Sequence, residues 1–162
     1  MFTRRESLKA IAAAATLGGV VGSTGALAQL RAAAETPSPT PTHIGLKGYD
    51  PVAYFTLATA TPGLAEYDYV HDGVRYFFAN ARHRDMFRAN PDRYAPQFGG
   101  SCAMNMANGV KRESDPTIWV IINDRLYVFA GTGGAERFRQ EATAAAVKAT
   151  ANWSKLKDAP EQ

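Results

Sequence analysis

One cysteine, Cys102, stands in a chain of 162 residues. A lone thiol forms no intramolecular disulfide, so the fold must rest on its core. Long hydrophobic runs are also missing. The most apolar early stretch, AIAAAATLGGVVG (Ala10–Gly22), is short, rich in Ala and Gly and interrupted by Thr16. It falls short of the roughly 18 strongly apolar residues that a membrane span needs. Positive charge exceeds negative only slightly, with 18 Lys and Arg against 15 Asp and Glu. No Lys/Arg cluster follows residue 28, which sets nucleic acid aside as a partner. HExxH, GxSxG, paired CxxC and Gly-rich phosphate loops do not occur, so the motif signatures of zinc proteases, α/β-hydrolases, dithiol enzymes and NTPases are all lacking.

What is present begins with an address. TRRESLK (Thr3–Lys9) reads as a twin-arginine n-region, with Ser7 where such signals usually carry a bulky apolar residue. After the apolar run comes ALA (Ala26–Ala28), a small-x-small cleavage motif. The pattern predicts a signal peptide over residues 1–28 and export to the periplasm by the twin-arginine route, with no stable membrane span in the mature chain. Removing 28 of 162 residues leaves 134, the size of one domain. RAAAETPSPTPT (Arg31–Thr42) is rich in Pro, Thr and Ser without apolar period, so residues 29–43 read as a linker and 44–157 as the domain. No internal repeat is evident.

Within the domain, GYDP opens a turn, and VAYF (Val52–Phe55) reads as the start of a strand. Tyr67, Tyr69 and His71 alternate into an Asp72–Gly73 turn and VRYFF returns, predicting a β-hairpin. Asn80 is placed to cap a helix over ARHRDMFRAN, with His83, Met86 and Phe87 on one face and Pro91 at its end. IWVII and LYVFA, joined at Asn123–Asp124, predict a second hairpin. The Ala-rich run from Ala135 to Trp153 predicts one helix, with a stripe of Phe138, Ala142, Ala145 and Ala149. The expected fold class is α+β, a small single domain of two β-hairpins packed with two or three helices.

GYDPVAYF, GVRYFFANARHRDMFRANPDRYAPQFGGSCA and ANWSKL occur in this order from about Ile44 to Leu156. In these blocks the chain resembles the long form of the YHS domain, found in small exported bacterial proteins. The resemblance implies a fold more than a function. The family's short form is suspected of binding metals through cysteines, whose places fall here on Ala53, Ala79 and His83. Alanine cannot coordinate a metal, so only His83 keeps ligand chemistry.

The candidate chemistry centres on GGSCAMNMANG (Gly99–Gly109). As a strand it would set Cys102, Met104 and Met106 on one face, a three-sulfur site suited to Cu(I). Ser101 as N-cap, Gly109 as terminator and the absence of β-branched residues favour a helix instead. Cys102 and Met106 then share a side while Met104 points away, and a metal site would need His83 as third ligand. Cys102 in a first helical turn could alternatively be an activated thiol, which makes thiol-dependent redox chemistry the enzymatic alternative. Asp50 reads as a turn residue, His71 as exposed at the hairpin and His43 as the tether's end. Trp119 and Trp153 read as core anchors, and GTGG (Gly131–Gly134) as a linker. The leading expectation is a non-enzymatic exported binding module, with copper held by Cys102, Met106 and His83 as its candidate ligand. Another exported protein is the candidate partner if the chain is a plain interaction domain.

Overall fold

The computed structural model describes residues 43–162. Residues 1–28, read as a signal peptide, and nearly all of the expected linker lie outside the described residues. The domain is α+β, with a three-stranded sheet in the order β1-β3-β2 and a separate two-stranded sheet, β4-β5. Strand β1 (His43–Ile44) lies parallel to β3 (Val74–Phe78), and β2 (Leu64–His71) pairs antiparallel with β3. Strands β4 (Asp115–Ile122) and β5 (Arg125–Phe129) form the second hairpin. Both hairpins close through two residues at positive φ, Asp72–Gly73 and Asn123–Asp124. That geometry suits the right-handed twist of paired strands.

Helices follow each hairpin. Helix α1 (Ala53–Thr56) precedes the first, and α2 (Ala81–Ala89) and α3 (Pro91–Tyr94) follow it. Helix α4 (Ala103–Ala107) precedes the second, and α5 (Thr132–Gln140) and α6 (Ala142–Leu156) follow it. Four expectations need correction. GTGG is not a linker, since Thr132, Gly133 and Gly134 form the first turn of α5 behind Gly131 as its cap. VAYF is helical, not extended, because the Asp50 carboxylate accepts the amides of Val52 and Ala53 and turns the chain at Pro51. The Ala-rich run is two helices, broken at Glu141 (φ −125°, ψ 32°). The cap of α4 is Cys102 rather than Ser101, whose hydroxyl instead donates to Glu161 Oε1 at 2.8 Å.

The structure also contains the repeat that the sequence hid. Hairpin β2–β3 recurs as β4–β5, each position 51 residues on (64 to 115, 78 to 129). The irregularity recurs too: Leu64 pairs with Phe78 and Asp68 with Phe77, while Asp115 pairs with Phe129 and Trp119 with Val128. Upstream, the left-handed residues Leu46, Lys47 and Gly48 match Phe98, Gly99 and Gly100, 52 residues on (46 to 98). The backbone bond Asp50 N to Thr61 O matches Cys102 N to Arg112 O. Only Tyr76/Tyr127, Phe78/Phe129, Ala79/Ala130, Phe87/Phe138 and Arg88/Arg139 are identical across the hairpin and following helix. The rest has diverged too far for a repeat to show in the sequence.

Those shared aromatics build both cores. Phe87 of α2 packs on Tyr76 (4.9 Å, 41° between rings) and Phe78 (5.2 Å, 56°). Phe138 of α5 packs on Tyr127 (4.8 Å, 42°) and Phe129 (5.3 Å, 61°). A third cluster, Leu46 and Tyr54 with Leu126 and Val128, joins the halves. Tyr54 donates its hydroxyl to Pro116 O at 2.9 Å and sets its ring edge-on to Trp119. Helix α6 covers the second half with Ala145 and Ala149 buried, and Asn152 Nδ2 donates to Met106 O at the end of α4.

Phe87→Ala and Phe138→Ala should each cost about 3–5 kcal/mol, the usual penalty for emptying a buried aromatic site, measured by urea unfolding. Burial, with smaller contributions from Tyr49 and Asp50, holds the Tyr54 phenol well above its ordinary 10.0. The folded state therefore favours the neutral phenol, whose stabilising contribution is complete below pH 10 and is lost as pH climbs beyond it. The stability gap between wild type and Tyr54→Phe should accordingly shrink above pH 10 in the same assay.

Candidate functional site

The most concentrated polar chemistry lies between α1 and α2. Asp50 has no solvent exposure, and a carboxylate so placed needs partners. It has four. Oδ1 accepts from Val52 N (2.8 Å) and Ala53 N (3.3 Å), and Oδ2 from Ala79 N (2.9 Å). The fourth is His83, whose Nδ1 lies 2.5 Å from Oδ2. Asp50 thus closes the first turn of α1 and the end of β3 while orienting an imidazole.

His83 reaches this place because Asn80 caps α2. The Asn80 side chain accepts His83 N at 2.9 Å, setting the first turn of the helix and the residue within it. The ring is nearly buried, with 9% of its side chain exposed. Its Nε2 lies 3.3 Å from Thr56 Oγ1 at the end of α1. That hydroxyl also donates to Val52 O at 3.0 Å. A buried carboxylate, an oriented imidazole and the hydroxyl of the exposed residue Thr56 therefore form one hydrogen-bonded chain reaching the surface.

The second half serves as an internal control. Asp50 corresponds to Cys102, His83 to Gly134 and Thr56 to Asn108, the last because Thr56 N bonds Val52 O as Asn108 N bonds Met104 O. A Cβ at Gly134 would meet Met104 Cβ at 3.6 Å, so a methionine neighbours the histidine's counterpart. Helix α4 begins at Cys102 with no side-chain cap bond. In the second half the same backbone thus forms without the acid, the imidazole or the hydroxyl.

The residues expected to hold a metal are divided between the two halves. Cys102 (2% exposed) and Met106 (0%) share the apolar cluster of Phe98, Tyr127, Phe129 and Phe138. Their backbones are one turn apart, Met106 N bonding Cys102 O, as the helical reading requires. His83 belongs to the first half, with both ring nitrogens already facing oxygen partners. Among the described residues no group of three or more His, Cys, Asp and Glu is placed to hold a metal ion. Thiolate chemistry favours electropositive, partly exposed surroundings, and those of Cys102 are apolar. His71 is partly exposed, edge-on to Phe87 and 3.5 Å from Asp72.

Sequence reasoning took Asp50 as a turn residue, which it is, but missed its pairing with His83. The two are 33 positions apart, and only the tertiary fold, which sets the Asp50 turn beside the end of β3 and the start of α2, joins them. No family model, no curated protein and no solved structure matches the chain.

Asp50→Ala should destabilise the domain by about 3–5 kcal/mol in thermal or urea unfolding, because three amides and an imidazole lose their acceptor at once. In proton NMR, His83 Nδ1–H should give a strongly deshielded imidazole signal that Asp50→Asn or His83→Gln abolishes.

Proposed function

We infer that the chain is an exported binding module of the YHS type, delivered to the periplasm by the twin-arginine signal at its start and binding its ligand in the groove between its two halves. One observation carries this reading. An open groove of about 1120 Å³ lies at the seam, with Leu46, Phe98 and Trp153 among its apolar lining. Concavities with an apolar lining and convergent polar groups are where small ligands and peptides bind. Both charge signs line it, with Lys47, Lys111 and Arg125 opposite in sign to Glu113, Asp158 and Glu161. That mixture suits a short peptide of mixed charge better than a polyanion. The repeated left-handed turns, Leu46–Lys47 and Phe98–Gly99, bring the two halves together at the same groove.

No helix among the described residues is long and apolar enough to cross a membrane. Copper is the second ligand considered. What supports it is the shared side of Cys102 and Met106; what weighs against it is their apolar enclosure and the engagement of His83 elsewhere.

Titrating the chain with short mixed-charge peptides should give a saturable change in Trp153 emission that Trp153→Phe removes. Titration with Cu(I) under a competing chelator should show equal binding by wild type and Cys102→Ser. A flat Trp153 response would refute the groove as ligand site. Tight Cu(I) binding lost in Cys102→Ser would move the function to the sulfur pair.

A further inference from the structure

We propose that Asp50, His83 and Thr56 form a hydroxyl-activating relay that accepts an acyl group from an activated ester onto Thr56 Oγ1. This goes beyond ligand binding in the groove and rests on different residues. Three observations carry it. The chain of contacts has the order that nucleophilic catalysis requires: a hydroxyl beside an imidazole nitrogen, whose other nitrogen is held by a carboxylate. The carboxylate is the buried member and Thr56 is an exposed residue, so the chain of contacts ends at the surface. The second half forms the matching backbone with none of the three groups, so that backbone does not by itself require an imidazole and a hydroxyl beside the capping carboxylate.

Thr56 need not move its heavy atoms to be activated. Its hydroxyl proton has two acceptors within reach, Val52 O at 3.0 Å and His83 Nε2 at 3.3 Å. Rotation about the Cβ–Oγ1 bond carries the proton from one to the other. The turn that follows is strained and open: Ala58 holds φ +51°, and Leu57 is 56% exposed. A non-glycine residue in the left-handed region is strained, and such strain gathers at working sites.

The step balances without an added oxidant or reductant. Thr56 Oγ1 attacks the ester carbonyl carbon while its proton passes to His83 Nε2. The tetrahedral intermediate collapses, the C–O bond to the leaving group breaks, and His83 returns the proton to the departing oxygen. Water then attacks the Thr56 ester with His83 as base, releasing a carboxylic acid and restoring the hydroxyl. Asp50 is a positioning residue: it presents Nε2 to Thr56 by holding Nδ1–H, and it stabilises the imidazolium formed in transit.

The test uses p-nitrophenyl acetate with the full chain, reading p-nitrophenolate release and the mass of the Thr56 peptide. Wild type should gain one acetyl group on Thr56. Thr56→Ser should keep that label, whereas Thr56→Val should lose it and slow nitrophenolate release by about 10²-fold or more. Asp50→Asn should slow acylation by up to about 10⁴-fold with the deshielded imidazole signal gone and the circular dichroism retained. If Asp50→Asn does not fold, the surface pair Thr56→Val and Thr56→Ser decides alone. The proposal is overturned if Thr56→Val reacts as fast as wild type, if wild type is labelled only on lysines, or if it is not labelled at all. Peptide binding in the groove is indifferent to these outcomes, so the two readings fail separately.

Discussion

A phenylalanine clamped between a tyrosine and a phenylalanine holds this domain together, twice. In each half the return strand of the hairpin points Tyr and Phe inward two positions apart, and the next helix drops its own Phe between them. Strand alternation makes the first possible and the helical period the second. Ring contacts of this kind are tilted or edge-on at about 5–6 Å, and each adds to the large apolar area that an aromatic side chain removes from water. The hairpin turns, the helix caps and the seam between halves are all arranged around those two clamps.

With the clamps conserved between halves, the surrounding positions were free to diverge. At one pair of equivalent positions the chain carries Asp50 and His83, at the other Cys102 and Gly134. This answers why a lone cysteine sits where it does: Cys102 occupies the backbone position that the first half gives to its buried carboxylate. A thiol needs no hydrogen-bond partner in an apolar cluster, whereas a carboxylate there demands several. One half therefore became a sealed core and the other kept a polar chain open to the surface.

Much of the architecture was legible beforehand. Both hairpins, their turn residues and the Asn80 cap follow from alternation and turn chemistry confined to a few neighbouring residues. Short-range signals failed where a side chain reached beyond its own segment. VAYF reads as a strand because Val, Tyr and Phe favour one, yet Asp50 bends it into a helical turn by accepting two amides. Ser101 has the chemistry of an N-cap, but its hydroxyl is drawn to Glu161, 60 residues away. The break at Glu141 carries neither Pro nor Gly to announce it.

The sequence alone determined the local units and their core faces, because strand alternation and helical period are properties of neighbouring residues. It also determined the isolation of the thiol, since no second cysteine exists to meet it. Only the tertiary structure decided which residues of different units meet. It separated His83 from the sulfur pair, joined it to Asp50 and Thr56, and exposed a structural repeat that a handful of shared residues could not reveal. The reason is physical: both halves build the same backbone around the same Tyr–Phe–Phe packing, and that packing constrains only a few of the positions it organises. Side-chain chemistry depends on contacts across 33 positions, and those exist only once the Asp50 turn has met the β3–α2 junction.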